Sequence, residues 1–195
     1  IINPDLLNKN AQLLIIFGSR KTLKKPSLLD DIKRMYPAAH TFGCSTAGEI
    51  NGTQIFDDSI SVTAIQFEHT TFAGAQINLA DYKNSFEAGE KLALSIEKSN
   101  LIHLFVLSDG LSVNGSELVK GLTKHLPENI SVTGGLAGDG DRFEETLVFW
   151  DTPPDKNRIA ALCLYGKGLK IGYGSMGGWD PFGPERLITK SQENV

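Results

Sequence analysis

The sequence lacks the features that mark several specialised classes of protein. Only two cysteines occur, Cys44 and Cys163, and no CxxC spacing joins them, so we expect reduced thiols rather than a disulfide framework. No apolar run approaches the roughly 20 residues of a membrane span, and no signal peptide is visible. The net charge of −4 gives no general attraction for nucleic acid or acidic membranes. These absences predict a cytoplasmic protein that binds neither nucleic acid nor membrane.

What the chain does contain is typical of a globular domain. Its 195 residues are 41% hydrophobic and 22% charged, which is enough for one large domain or two small ones with a substantial core. The chain begins at Ile1 without a methionine and stops at "SQENV" without a helix end. We interpret it as a fragment of a longer protein.

Two parts of the chain match each other when they are aligned without a gap. The matching segments are 14–20 with 104–110, 28–37 with 118–127, and 40–49 with 130–139. In each part an apolar strand leads to an amphipathic helix that ends at a proline, Pro37 or Pro127. A further strand and a glycine turn follow. The same order of strand, helix, proline, strand and glycine turn in both parts predicts an internal duplication.

Additional strands are predicted after each glycine turn. Apolar alternation and turn residues place them at 58–68, 71–79, 145–151, 158–166 and 169–176. The first two of these form a predicted hairpin. The pattern therefore predicts two β-α-β-β-β-β halves, at about 10–80 and 100–176, joined by a helix at about 84–98. The fold class is α/β, with duplicated halves forming mixed sheets and helices packed outside; two packed sheets or one long mixed sheet would both fit.

The loops at the carboxyl ends of the parallel strands are the candidate ligand site, because ligands bind there in α/β sheets. Glycine in these loops permits close backbone approach and leaves N–H groups pointing outward, which suits a small polar or anionic ligand. The candidate ligand-binding residues are Ser19, Arg20, Gly43, Cys44, Ser45, Thr46, Ser108, Asp109, Gly134 and Gly135. The alternative is that both glycine turns only close the chain.

The basic run 20–25 is expected to form a solvated loop before the first helix; the alternative is that it attracts an anionic ligand into the pocket. Ser19 would then lie too far from that helix to cap it, and its hydroxyl would be free for a ligand. Residues 139–145 form an acidic loop whose spacing does not match an EF-hand. We therefore predict no metal site.

An enzymatic function is not indicated by the residues around Cys44. The segment lacks the GxSxG pattern and the following helix that a nucleophile elbow needs. His40 lies at the opposite end of a short strand, and Gly134 takes the place of Cys44 in the second copy. An inert, buried cysteine is the preferred interpretation, and no catalytic residue is predicted.

The four histidines show no metal-ligand spacing. They are His40, His69, His103 and His125. Haem needs only one axial histidine, so a haem protein stays open as an alternative, with no cofactor as the first expectation.

Four ordered segments together resemble the N-terminal FIST domain. They are "GCSTAGEI", "LSDGLSVNGSELVKGL", "VTGGLAGDGDRFEETLVF" and "WDPFGPERLITKS". The resemblance covers about residues 10–192, so we assign 1–192 to this domain. It implies a bacterial intracellular sensory domain with a C-terminal FIST domain following, which is absent here. It also implies small ligands, amino acids among them, and a partner such as a histidine kinase, a chemotaxis receptor or a cyclic-dinucleotide enzyme.

The function expected from residues and resemblance together is non-enzymatic sensing of a small ligand. The hydroxyls of the glycine turns would hold an amino-acid carboxylate, and Asp109 would pair with its amine. Some proteins that this chain resembles bind haem and sense nitric oxide, which is the alternative function, although their haem ligand cannot be matched to a histidine here. A cysteine-dependent enzyme is the third hypothesis.

Overall fold

The computed structural model describes residues 9–174, 176–177 and 180–190. The strands are β1 (Leu13–Gly18), β2 (His40–Ser45), β3 (Glu49–Asn51), β4 (Gln54–Phe56), β5 (Ile60–Ile65), β6 (Thr71–Asn78), β7 (Leu101–Ser108), β8 (Ser131–Leu136), β9 (Val148–Trp150) and β10 (Arg158–Tyr165). The α-helices are α1 (Arg20–Leu23), α2 (Pro26–Met35), α3 (Ser85–Ser95) and α4 (Gly115–His125). No helix in the described ranges is long and apolar enough to span a bilayer.

Two four-stranded mixed sheets form the centre of the fold. One has the strand order β5-β1-β2-β9 and the other β6-β10-β7-β8. Within them β1 pairs with β2, and β7 with β8, in parallel, while the remaining neighbours are antiparallel. Strands β3 and β4 form a separate hairpin. The predicted α/β class with mixed sheets is confirmed.

The two sheets pack against each other, and the helices cover their outer faces. Leu13 and Phe42 from one sheet share a buried cluster with Leu107 and Leu162 from the other. The next side chain along β1, Leu14, belongs instead to the cluster with α1 and α2. A third cluster joins the second sheet to α3 and α4. This alternation of buried side chains along a strand is what a sheet covered on both faces requires, and it excludes one long mixed sheet.

The helices begin where side chains can satisfy their first N–H groups. Asn84 accepts a hydrogen bond from the N–H of Glu87, and Asn114 accepts one from the N–H of Glu117. Asparagine is among the preferred N-cap residues because its side-chain oxygen satisfies an N–H that has no partner within the helix. The predicted connecting helix at 84–98 is thereby confirmed as α3, ending at Ser95.

The predicted hairpin at 58–68 and 71–79 is wrong. Both strands exist, but β5 pairs with β1 in one sheet and β6 pairs with β10 in the other. The short turn between them therefore crosses from sheet to sheet. A short polar turn between two apolar strands is compatible with both outcomes, and only the competing pairing partners decide.

The predicted strand at 169–176 is also wrong for the residues described there, since 169–174 and 176 have no strand pairing. The preceding strand, β10, already has β6 on one side and β7 on the other. No free neighbouring position next to β10 is left for the chain to occupy. Apolar alternation predicts a strand but cannot show whether a partner is available.

Candidate ligand site at the carboxyl ends of the parallel strands

The loops predicted to meet at the carboxyl ends of the strands do meet. The N–H of Thr46 donates to the carbonyl of Gly18 over 3.1 Å, and the N–H of Ala137 donates to the carbonyl of Ser108 over 2.8 Å. The two glycine turns also contact each other, because the N–H of Gly138 donates to the carbonyl of Ser45 over 2.8 Å. The two parallel strand pairs therefore end at a common region of the molecule.

The basic run forms a helix at this point, which corrects the predicted loop. Helix α1 begins immediately after β1, and Ser19 is its N-cap. The Ser19 hydroxyl accepts from the N–H of Thr22 over 3.2 Å and donates to the Thr22 hydroxyl over 3.0 Å. The prediction that this hydroxyl is free was wrong, because one turn of helix without an apolar face leaves no periodic signal.

A cavity of about 650 Å³ lies beside α1. It is lined by Arg20, Lys21, Lys24, Asp58 and Arg142. Arg20 and Lys21 come from α1, Lys24 is the C-cap of that helix, and Arg142 comes from the loop after β8. Of the candidate residues from sequence, Arg20 alone is among this lining.

The acidic loop 139–145 provides the counter-charges for Arg20 and Lys24. Arg20 Nε lies 3.2 Å from Asp139 Oδ1, and Arg20 Nη2 lies 2.8 Å from Glu144 Oε2. Glu145 forms an ion pair with Lys24 Nζ and lies 4.0 Å from Arg20 Nη1. The hydrogen bond to Glu144, above all, raises the pKa of Arg20 above its ordinary value.

Asp139 is the buried anchor of this loop, with 1% of its side chain exposed. Its carboxylate accepts hydrogen bonds from the N–H groups of Glu144 and Glu145, each over 3.2 Å, and from Arg142 Nε over 3.1 Å. Burial raises the pKa of Asp139, but these hydrogen bonds and the charge of Arg20 outweigh it, so the pKa lies below its ordinary value. The loop is therefore held in one shape by an ionised carboxylate.

Three candidate residues from β2 lie in the core, where packing or a hydrogen bond to the backbone already engages them. A Cβ on Gly43 would lie 2.0 Å from the carbonyl oxygen of Ile16, so the strands approach too closely for any side chain. Cys44 is buried between the sheets, and burial raises the pKa of its thiol to about 12, which leaves almost no thiolate at neutral pH. The Ser45 hydroxyl accepts from the N–H of Leu147 over 2.9 Å. These residues stabilise the fold.

Thr46, at the edge of the site, has a half-buried hydroxyl that donates to Glu49 Oε1 over 2.6 Å. Glu49 is buried and also accepts from the N–H and hydroxyl of Ser59. This contact joins the glycine turn to the start of β5.

The candidates from the second part of the chain are placed differently from expectation. Ser108 and Asp109 are both buried. The Asp109 carboxylate accepts from the N–H groups of Leu111, Ser112 and Asn157, over 2.9, 2.7 and 3.1 Å. It stabilises the loop after β7, and because it is buried among these three backbone donors it does not present a free carboxylate to a ligand amine.

Gly134 and Gly135 are neighbours on the edge strand β8, but their surroundings differ. A Cβ on Gly134 would lie 1.9 Å from the carbonyl oxygen of Val106, whereas nothing lies within 4 Å of one on Gly135. Gly134 is therefore required for the pairing of β7 with β8, and Gly135 is free to change.

The histidines differ in whether a ring nitrogen is available to bind haem iron. His103 is buried in β7 and both its ring nitrogens lie within hydrogen-bond distance of hydroxyls, Ser131 at 2.7 Å and Thr133 at 2.9 Å. Its ring therefore has no nitrogen left for iron. His40 is half exposed and its Nδ1 bonds to the carboxylate of Asp151. Within the described residues, no group of three or more His, Cys, Asp or Glu is arranged to hold a metal ion.

The sequence contained both halves of the charged site without showing that they meet. The basic run and the acidic loop are each visible, but they are separated by more than a hundred residues. Lys21 and Lys24 were considered only as part of the basic run, and Asp58 and Arg142 were missed as lining residues.

Fold and site together define an α/β domain with a charged cavity at the carboxyl ends of its parallel strands. The FIST N domain family model matches residues 12–195, and the chain belongs to that family. FIST domains are sensory domains of signal-transduction proteins. No curated protein matches the chain.

Proposed function

We propose that this sensory domain binds a small zwitterionic ligand, an α-amino acid, in the cavity beside α1. The observation that supports the proposal is the lining of that cavity, in which four cations stand with one carboxylate. The cavity is open to solvent, and its volume of about 650 Å³ is sufficient for an amino acid. The amino acid is proposed as the ligand class because it carries both charges that this lining can pair.

The cationic side chains would bind the ligand carboxylate. Arginine and lysine form charge-assisted hydrogen bonds with carboxylates, which are about twice as strong as neutral ones. Lys21 and Lys24 are more than half exposed, so a ligand can reach them. Arg20 is held in place by Asp139 and gives the site a rigid donor.

Asp58 would bind the ligand amine, in place of the buried Asp109. Its carboxylate lies 2.9 Å from Lys21 Nζ, and this hydrogen bond holds the pKa of Asp58 below its ordinary value. It is therefore ionised at neutral pH. Asp58 has a positive φ of 50°, a left-handed conformation that aspartate adopts more readily than most residues other than glycine.

A thermal-shift screen of the full-length protein against the amino acids tests this proposal. A bound amino acid at 100 times its Kd is expected to add about 2.7 kcal/mol, or roughly 5–10 °C in Tm. The double variant Lys21→Met/Lys24→Met should weaken binding about tenfold or more, because two charge-assisted contacts are lost. Lys33→Met, which removes an exposed charge on α2, is the matched control and should bind normally.

Two results would contradict it. One is an absence of stabilisation by every amino acid. The other is equal affinity in the wild type and the Lys21→Met/Lys24→Met variant, which would place the ligand elsewhere.

We propose further that the ligand signal passes to a cytoplasmic bacterial partner. Candidates are a histidine kinase, a chemotaxis receptor and a cyclic-dinucleotide enzyme. The support is membership of a family of sensory domains that work in signalling proteins.

Haem binding is the second candidate function, and His40 is the observation that favours it. Its Nδ1 is bonded to Asp151, and its ring stacks on Trp150 and meets the edge of Phe72. A carboxylate on the other ring nitrogen is typical of metal-ligating histidine. Haem titration of the full-length protein should then give a Soret band that His40→Ala removes and His69→Ala, in the turn after β5, retains. A titration without a Soret band would exclude this function.

A further inference from the structure

We propose that Glu144 and Glu145 are internal competitors of the ligand: in the free protein they hold the cationic groups that a ligand carboxylate would otherwise bind. The ligand must then displace them. This inference rests on the proposed function, since it concerns the same cavity.

The contacts of the two glutamates place them on the cavity cations. Glu144 binds Arg20 Nη2 at 2.8 Å, and Glu145 binds Lys24 Nζ and approaches Arg20 Nη1. Arg20 and Lys24 both line the cavity. A carboxylate of the protein therefore already occupies the position that is most favourable for a carboxylate of a ligand.

The glutamates differ from Asp139 in how firmly they are held. Asp139 is almost fully buried, with 1% of its side chain exposed, whereas Glu144 is 65% and Glu145 23% exposed. Ion pairs between exposed groups contribute little net stability, because solvent screens them and both side chains lose freedom. Arg20 therefore keeps a buried partner, Asp139, on Nε and has an exposed, exchangeable partner, Glu144, on Nη2.

The backbone of the loop supports this division of roles. The N–H groups of Glu144 and Glu145 both donate to Asp139. Displacing the two glutamate side chains leaves these hydrogen bonds intact. Exchange therefore requires only side-chain rotation, and Arg20 stays in position for the incoming carboxylate.

Competition between these glutamates and the ligand has two consequences for sensing. The apparent affinity is reduced by the fraction of time that the glutamates occupy the cations, which raises the ligand concentration at which the domain responds. The displaced glutamates also belong to the loop after β8, whereas the cations they leave belong to α1 and its C-cap, after β1. Binding thus changes the ion pairing between the two parts of the chain.

Isothermal titration of the full-length Glu144→Gln/Glu145→Gln variant tests the inference, with glycine, L-aspartate and inorganic phosphate as probes. Glutamine keeps the shape and the backbone contacts but removes the competing charges. We expect at least one probe to bind about three- to tenfold more tightly than to the wild type. Glu68→Gln/Glu128→Gln has the same net charge and changes exposed residues at the opposite ends of the strands, so it should bind like the wild type.

The outcomes separate this inference from the proposed function. Wild-type binding with equal or weaker affinity in Glu144→Gln/Glu145→Gln overturns the inference and leaves the proposed site standing. Equal tightening in both double variants also overturns it, because a general charge effect would then suffice. No binding of any probe to the wild type or to either variant, together with no stabilisation by any amino acid in the thermal-shift screen, overturns the proposed function as well.

Discussion

Replacing Gly43 with alanine is expected to destabilise the domain by about 3 kcal/mol or more, enough to unfold a marginal protein. The new Cβ would lie 2.0 Å from the carbonyl oxygen of Ile16 and 2.7 Å from the ring of Phe149. Neither group can move easily, because Ile16 is part of β1 and Phe149 is fully buried. Urea denaturation followed by circular dichroism measures the loss.

Gly135→Ala is the control for this experiment. Gly135 also lies in a β-strand, the edge strand β8, and nothing stands within 4 Å of its would-be Cβ. Its free energy of unfolding should stay within about 1 kcal/mol of the wild type. A Gly43→Ala protein as stable as Gly135→Ala would show that Gly43 is not required by strand packing and would return it to the ligand candidates.

Asp139→Asn is expected to lower the free energy of unfolding at pH 7 by about 3 kcal/mol, since it leaves Arg20 and Arg142 without their shared buried carboxylate. For a chain of this size the loss corresponds to roughly 6–12 °C in Tm. Asparagine keeps one acceptor oxygen, so it cannot accept both from the arginines and from the N–H groups of Glu144 and Glu145. The acidic loop should therefore loosen together with the cavity wall.

The pH dependence follows from the direction of the Asp139 pKa. Because the pKa is lowered in the folded protein, the ionised carboxylate stabilises the fold at every pH above its unfolded pKa of about 4. That contribution is lost as the pH falls through the folded pKa. The stability difference between wild type and Asp139→Asn should therefore be full at pH 7 and shrink below about pH 4.

Urea denaturation at pH 7 and pH 3 measures both quantities. Asp141→Asn, an exposed acid in the same loop, serves as the control and should change stability by less than about 0.5 kcal/mol. A pH-independent difference between wild type and Asp139→Asn would mean that the ionised form of Asp139 is not what stabilises the loop.

The sequence predicted the helices and strands of this fold well wherever apolar residues recur at a regular spacing. The helices α2, α3 and α4 follow from apolar spacing, and Pro37 and Pro127 mark the ends of α2 and α4. The parallel pairing of β1 with β2 and of β7 with β8 follows from the strand-helix-strand order. The duplication itself stays a prediction, although both parallel pairs have the same order of elements.

Pairing between distant strands could not be predicted in the same way. Strand β9 joins the first sheet beside β2, and β6 joins the second beside β10, so each sheet takes an edge strand from the other part of the chain. The backbone hydrogen-bonding groups of a strand are the same for every possible partner strand. The choice depends on the total burial of the packed sheets, which no local pattern contains.

By itself, the sequence determined the α/β class, the family, and the location of a candidate site at the carboxyl ends of the parallel strands. Only the tertiary structure decided which side chains are available there. Packing and backbone hydrogen bonds engage three of the candidates, Gly43, Cys44 and Asp109. Arg20, in contrast, lines the cavity and forms ion pairs with Asp139 and Glu144. The physical reason is that the residue type determines what a side chain can bind, whereas its burial and its neighbours determine whether its polar groups already have partners.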